Sequence, residues 1–130
     1  MNIQLTSQES ESLFHTALCN GLAYIQYYDL ELRYSKTDYS AAKQKLKQQE
    51  PDRIVCYEDV LLQILKDGGT LTLVDLGGGD FTSSIKLEDV HARVQLSPPN
   101  LIIAVHENQD DADTADGILQ TVFFQEIIFG

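Results

Sequence analysis

Long apolar runs, positive charge and cysteine are all scarce in this chain, and each shortage removes a class of protein. The longest candidate for a membrane segment, residues 101–105, is far short of the ~20 apolar residues a spanning helix needs. The N-terminus MNIQLTSQESES has neither a basic region nor an apolar one, so no signal peptide is expected. Two cysteines, Cys19 and Cys56, fit neither a disulfide-dense secreted scaffold nor a four-cysteine zinc site. A cytoplasmic location is therefore expected. Nine Lys and Arg stand against twenty Asp and Glu, for a net charge of −11. The imbalance is uneven: residues 1–65 carry −3, residues 66–130 carry −8, and no Lys or Arg follows Arg93. A field of that sign repels phosphate backbones, which argues against direct nucleic-acid binding. It suits a basic partner, a cation, or simple solubility.

What is present describes one folded unit. A hydrophobic content of 43% with 22% charged residues in 130 positions is ordinary for a single globular domain, here 1–130. No internal repeat or low-complexity linker divides it. Thr6 and Glu9 have the spacing of a capping box. Behind them Phe14, Leu18, Gly21, Ile25, Tyr28 and Leu32 recur at 4-3-4-3-4, a helical seam of about five turns. Leu13, Ala17 and Tyr24 widen that stripe, as in a helix packed into a core. Tyr39, Ala42 and Leu46 mark a second helix over 38–49, with Lys43, Lys45 and Lys47 on its solvated face. Pro51 ends that segment. Tyr57, Val60, Leu61, Ile64 and Leu65 mark a third helix, stopped at Gly68.

Residues 70–87, TLTLVDLGGGDFTSSIKL, break the helical pattern. Leu71 and Leu73 alternate with threonine, and Phe81, Ser83, Ile85 and Leu87 alternate on the return, with a glycine-rich loop between. A β-hairpin over about 70–75 and 81–87, packed on helices, is the simplest structure. Residues 88–96 fit either strand or helix; Glu88 and Asp89 early and Arg93 late favour a short helix. Ser97-Pro98-Pro99 launches a helix through 101–106, and Asp113 is positioned to cap a last one carrying Ala115, Ile118, Leu119, Val122 and Phe123. The expected fold is α+β, mainly helical, with one hairpin.

The segment Leu73-Val74-Asp75-Leu76-Gly77-Gly78-Gly79 resembles the first motif of the S-adenosylmethionine-dependent methyltransferases. The resemblance implies a cofactor held at Asp75, Gly77, Gly78 and Gly79, where glycines let backbone approach the ligand. Phe81 stands where the family has its last glycine, and FTSSIKL continues as alternation where the family opens a helix. Only 49 residues follow Phe81. A glycine-rich hairpin turn is the reading adopted, with no cofactor and no catalytic residue assigned. In the acidic run Asp110, Asp111, Asp113, Asp116, calcium-loop spacing fails: with Gly117 at the sixth position, Ala112 falls at the first and Phe123 at the twelfth. His15 and Cys19 share one helix face, and Cys56, His91 and His106 could join them, but two ligands without a second close pair are a weak zinc signal. Cys56 with His91 has the residue types of a nucleophile and base without a local signature.

The tail DADTADGILQTVFFQEIIFG, with Leu87-Glu88-Asp89-Val90-His91, resembles a group of small uncharacterised bacterial proteins, some encoded in prophage or mobile-element regions. That group carries no known activity, so the likeness implies an accessory gene and no site residue. The function expected from the residues is that of a non-enzymatic, self-associating interaction protein. Its interface candidates are Tyr24, Tyr28 and Leu32 with the apolar end Phe123, Phe124, Ile127, Ile128 and Phe129. A protein partner is expected, either a second copy in a homodimer or a basic protein. An acidic decoy that occupies a basic DNA-binding protein through Asp110, Asp111, Asp113 and Asp116 is the alternative.

Overall fold

Thr6 opens the first helix as the capping box requires: its hydroxyl accepts from the Glu9 N–H at 3.1 Å, and the Glu9 carboxylate accepts from the Thr6 N–H at 2.9 Å. The structure, a computed structural model, describes residues 4–109 and 111–129. Helix α1 (Ser7–Ile25) is shorter than the apolar seam. A 3₁₀ turn, Gln26–Tyr28, follows; Asp29 then takes a left-handed conformation (φ 56°), and the chain leaves as strand β1 (Leu30–Arg33). Asp tolerates that conformation better than most residues. The helical seam therefore ends early, because Leu30 and Leu32 find a strand to pair with and alternate onto the core.

Helix α2 (Lys36–Gln49) starts two residues before its expected first residue because Ser35 caps it, accepting from the Asp38 N–H at 3.2 Å. It buries only Ala42 and Leu46, and its lysines face water. Helix α3 (Tyr57–Lys66) buries Val60, Leu61, Ile64 and Leu65 and stops at Gly68, whose φ of 90° is the left-handed stop expected there.

Strands β2 (Leu71–Asp75) and β3 (Ser83–Ile85) form the expected hairpin, but β1 joins it, giving an antiparallel sheet in the order β1-β2-β3. Leu30 lies opposite Asp75, Leu32 opposite Leu73, and Leu71 opposite Ile85. The inward residues Leu30, Leu71, Leu73 and Ile85 are buried, so one face carries the core. Strand β3 ends before 87, where helix α4 (Leu87–Arg93) begins; residues 88–96 are thus helical, closed by a 3₁₀ turn at Val94–Leu96. Helix α5 (Pro99–His106) follows, then α6 (Ala112–Phe124), capped by Asp111 instead of Asp113: the Asp111 carboxylate accepts from the Thr114 N–H at 2.8 Å.

Helix α6 is the axis of the molecule. Every residue from Thr114 to Phe123 is buried, so other parts of the chain cover it on all sides. Gly21 lets α1 come close: a Cβ there would meet the Ala115 carbonyl carbon at 3.0 Å. Gly117 does the same for α5, since a Cβ would sit 2.6 Å from Leu101 Cδ1. The free carbonyls at the end of α6 find tertiary donors. The Ser83 hydroxyl from β3 donates to the Phe123 carbonyl, and Arg93 Nη1 from α4 donates to the Val122 carbonyl at 3.1 Å. No helix among the described residues is long and apolar enough to cross a membrane.

Candidate functional site

The end of α1, the glycine-rich loop and the chain's last residues meet at one end of the molecule. Tyr24 and Tyr28 are four apart on the last turn of α1 and its 3₁₀ extension, so their rings stack with centroids 6.4 Å apart. Tyr27 leans on Tyr24 at 6.0 Å. On the other side Tyr28 stacks on Phe129 at 4.8 Å, and Phe129 meets Phe81 edge-on at 5.3 Å and Phe124 at 6.1 Å. Six rings from three remote segments thus form one continuous ladder. Exposure rises at its margins: Tyr27 is 80% exposed, Leu76 57%, Ile127 47% and Phe81 37%.

Two devices hold the ladder in shape. The first is a clamp on the tail by Gln120, which is buried in α6. Its Oε1 accepts from the Ile128 and Phe129 N–H groups at 2.8 and 2.7 Å, and its Nε2 donates to the Phe129 carbonyl at 3.0 Å. The same Nε2 donates to Asp116 Oδ2 at 2.9 Å, and the Tyr28 hydroxyl donates to that oxygen at 2.7 Å. Burial raises the Asp116 pKa above its ordinary value, against the two hydrogen bonds that lower it. Burial, then the bond to Asp116, pushes the Tyr28 phenol up to about 12. The Asp113 carboxylate, bonded to the Tyr24 hydroxyl, raises that phenol's pKa as well.

The second device is the loop over 76–82. Asp75 closes it from within: its carboxylate accepts from the Gly77 N–H at 2.8 Å and the Phe81 N–H at 3.3 Å. Gly78 has a φ of 79°, and a Cβ on Gly79 would sit 2.6 Å from the Asp75 carboxylate. The glycines serve the turn and aim Phe81 at the ladder. No helix follows Gly79; residues 80–82 lead into β3, so the strand-to-helix passage that gives the methyltransferase motif its meaning is absent. Asp75, Gly77, Gly78 and Gly79 build the turn between β2 and β3.

Of the expected interface residues, the structure unites Tyr24, Tyr28, Phe124 and Phe129. Ile127 packs beside Gly117, and Ile128 is half-buried under the Gln120 clamp. Phe123 does not belong: it points into the core at 1% exposure, because it is one of ten buried residues of the central helix. Leu32 does not belong either; it packs at the core edge on β1, away from the helix that was to present it. Phe81 and Tyr27 are the contributors missed in the sequence. In the sequence Phe81 stands as the first residue of the returning strand and as a break in the glycine pattern, not as an interface residue. The acidic run is also split by the fold. Asp111 is a helix cap, Asp113 is bonded to Tyr24, and Asp116 is 9% exposed; Asp110 lies outside the described residues.

His15 and His91 are each paired with a carboxylate. His15 Nε2 pairs with Asp59 Oδ1 at 2.7 Å, and Arg53 reaches Asp59 Oδ2 at 3.1 Å. His91 Nε2 pairs with Glu11 Oε2 at 2.9 Å, so it serves Glu11 and not Cys56. Glu11, His15, Arg53 and Asp59 edge a cleft of about 330 Å³ between α1 and α3, and the two histidine pairs tie α1 to α3 and α4. Cys19 Sγ lies 3.9 Å from His15 Nδ1, but desolvation, then the charges of Glu58 and Asp59, pushes its thiol pKa up. A thiol held protonated is a poor nucleophile. Among the described residues no group of three His, Cys, Asp or Glu side chains is arranged to hold a metal ion. Compared with protein-family models, curated proteins and solved structures, the chain matches none.

Proposed function

We propose that this chain is a non-enzymatic interaction protein that docks a protein partner on its aromatic end. The observation that carries the reading is the six-ring ladder. Three segments remote in sequence are drawn together and fastened by the Gln120 clamp, yet Tyr27, Leu76, Phe81 and Ile127 stay at least 37% exposed. Single exposed apolar residues need no explanation, but a contiguous aromatic surface is what interfaces favour. A cytoplasmic setting goes with this reading, since Cys19 and Cys56 are exposed free thiols.

The acidic-decoy alternative draws less support. It needs a row of freely exposed charges to imitate phosphates, and Asp111, Asp113 and Asp116 are engaged with their own chain. The deciding experiment replaces Tyr27 and Phe81 together by Ser. Tyr27 is largely in water, so the double variant is expected to keep the helical circular-dichroism spectrum while losing a partner that the wild-type chain retains from its native cell. A variant that captures the same proteins in the same amounts sinks the proposal.

A further inference from the structure

The aromatic end is not electrically neutral. No Lys or Arg occurs in residues 1–32, 67–85 or 94–130, and every ring of the ladder comes from those stretches. The bases are gathered instead in 33–66, which carries +2, and at Lys86 and Arg93; the rest of the chain carries −13 together with those two. Carboxylates border the ladder. Asp113 and Asp116 bond its tyrosines, Asp29 directly follows Tyr28, Asp80 precedes Phe81, and Glu126 lies in the tail. Among the described residues none of these five is in an ion pair, although acids elsewhere (Glu11, Glu31, Asp59, Asp67, Asp89) are.

Resting on the docking reading above, we infer that the occupant of this surface is a basic amphipathic segment of a partner protein, with Arg or Lys side chains set among apolar ones. Three features of the surface select it. Ring faces carry the negative lobe of the π quadrupole, so a guanidinium can stack on Tyr27 or Phe81. Asp80 and Glu126, exposed and in no ion pair among the described residues, leave their carboxylates open to the cation's hydrogen-bond donors. The rings stand 4.8–6.4 Å apart along the ladder, close to the ≈ 5–6 Å between side chains three and four apart on a helix. A second copy docked through the same end brings carboxylates against carboxylates, which costs affinity. Nucleic acid and anionic lipid are repelled for the same reason.

The probe is an amidated peptide of about 18 residues, long enough to form a helix, with Arg and Leu on one face at i, i+3 and i+4 spacing. Its counterpart has every Arg replaced by Gln. Binding is followed by NMR shifts of the Tyr27 and Phe81 amides, at low and at high salt. The Arg peptide is expected to bind and to weaken with salt, and the Gln peptide to bind at least about tenfold more weakly. Changing Asp80 and Glu126 to their amides is expected to weaken the Arg peptide similarly. Changing Glu50 and Asp52, at the far end of α2, is expected to leave it unaffected. Equal binding of the two peptides overturns the inference while leaving a docking surface in place. Arg-peptide binding that survives Tyr27→Ser with Phe81→Ser overturns both readings, since the charge would then act without the rings. Self-association through Tyr27 and Phe81, with no peptide binding, makes a second copy the occupant and overturns the inference alone.

Discussion

Asp116 sits in a buried helix beside Tyr28 and Gln120, and among the described residues its carboxylate has these two donors and no ion pair. Its pKa is raised above 3.8 in the folded chain. A group of that kind binds more protons folded than unfolded, so stability falls as pH rises from 3.8 through the raised value. Asn at this position keeps an oxygen that can accept from both donors and removes the buried charge. Asp116→Asn is therefore expected to match or exceed the wild type at pH 7, and its advantage in urea unfolding should grow with pH across that window. A difference that does not change with pH would mean the carboxylate is not held out of water. The polar character of Asp116, Gln120 and Thr121 is plain in the sequence; their burial is not. Each is admitted to the core by a partner that arrives from elsewhere or, for Thr121, from the Gly117 carbonyl one turn back.

Helix ends were largely legible because capping is local. Thr6 with Glu9 and Gly68 act as their spacing implies, and Ser35 and Asp111 shift two starts by only a residue or two. The end of α1 was not legible, because the seam through Tyr28 and Leu32 satisfies a helix and β1 equally well. Pairing with β2, forty residues later, decides it. Gly21 on that seam admits another backbone, that of α6. Gly21→Ala gains about 1 kcal/mol of helix propensity but forces a methyl against the Ala115 carbonyl carbon and Leu119. Overpacking of that kind costs about 1–3 kcal/mol. The variant should lose stability on balance, read as a lower urea midpoint at unchanged slope; a gain would show that α1 and α6 can part at this point without penalty.

At the scale of the whole molecule, the ion pairs set the response to acid. Burial works to raise the Asp59 pKa, but the Cys56 N–H, His15 and Arg53 together bring it below 3.8. Asp67, bonded to Lys45 and Gln63, and Asp111, bonded to the Thr114 N–H, are lowered too. Such groups stabilise fully above their unfolded pKa and lose that contribution as pH falls through the folded one. Acid unfolding is thus expected below about pH 4. Asp59→Asn should cost about 1–3 kcal/mol near neutrality, and the gap to the wild type should close as pH drops below 3.8. A gap that persists at pH 2 would assign the loss to packing and not to charge.

The division between sequence and tertiary structure follows the range of the forces involved. Composition, periodicity and capping are properties of neighbours along the chain. They sufficed for a mainly helical α+β domain with a glycine-turned hairpin, for the skewed charge, and for the suspicion that the tyrosines and the apolar tail form an interface. Three matters needed long-range contact: that α6 is the axis, that β1 exists, and that Tyr24, Tyr28, Phe81, Phe124 and Phe129 make one surface while Phe123 leaves it for the core. An apolar residue gains by leaving water whether a core or a partner covers it. Its sequence position therefore cannot say which of the two will, and only the packing of the rest of the chain does.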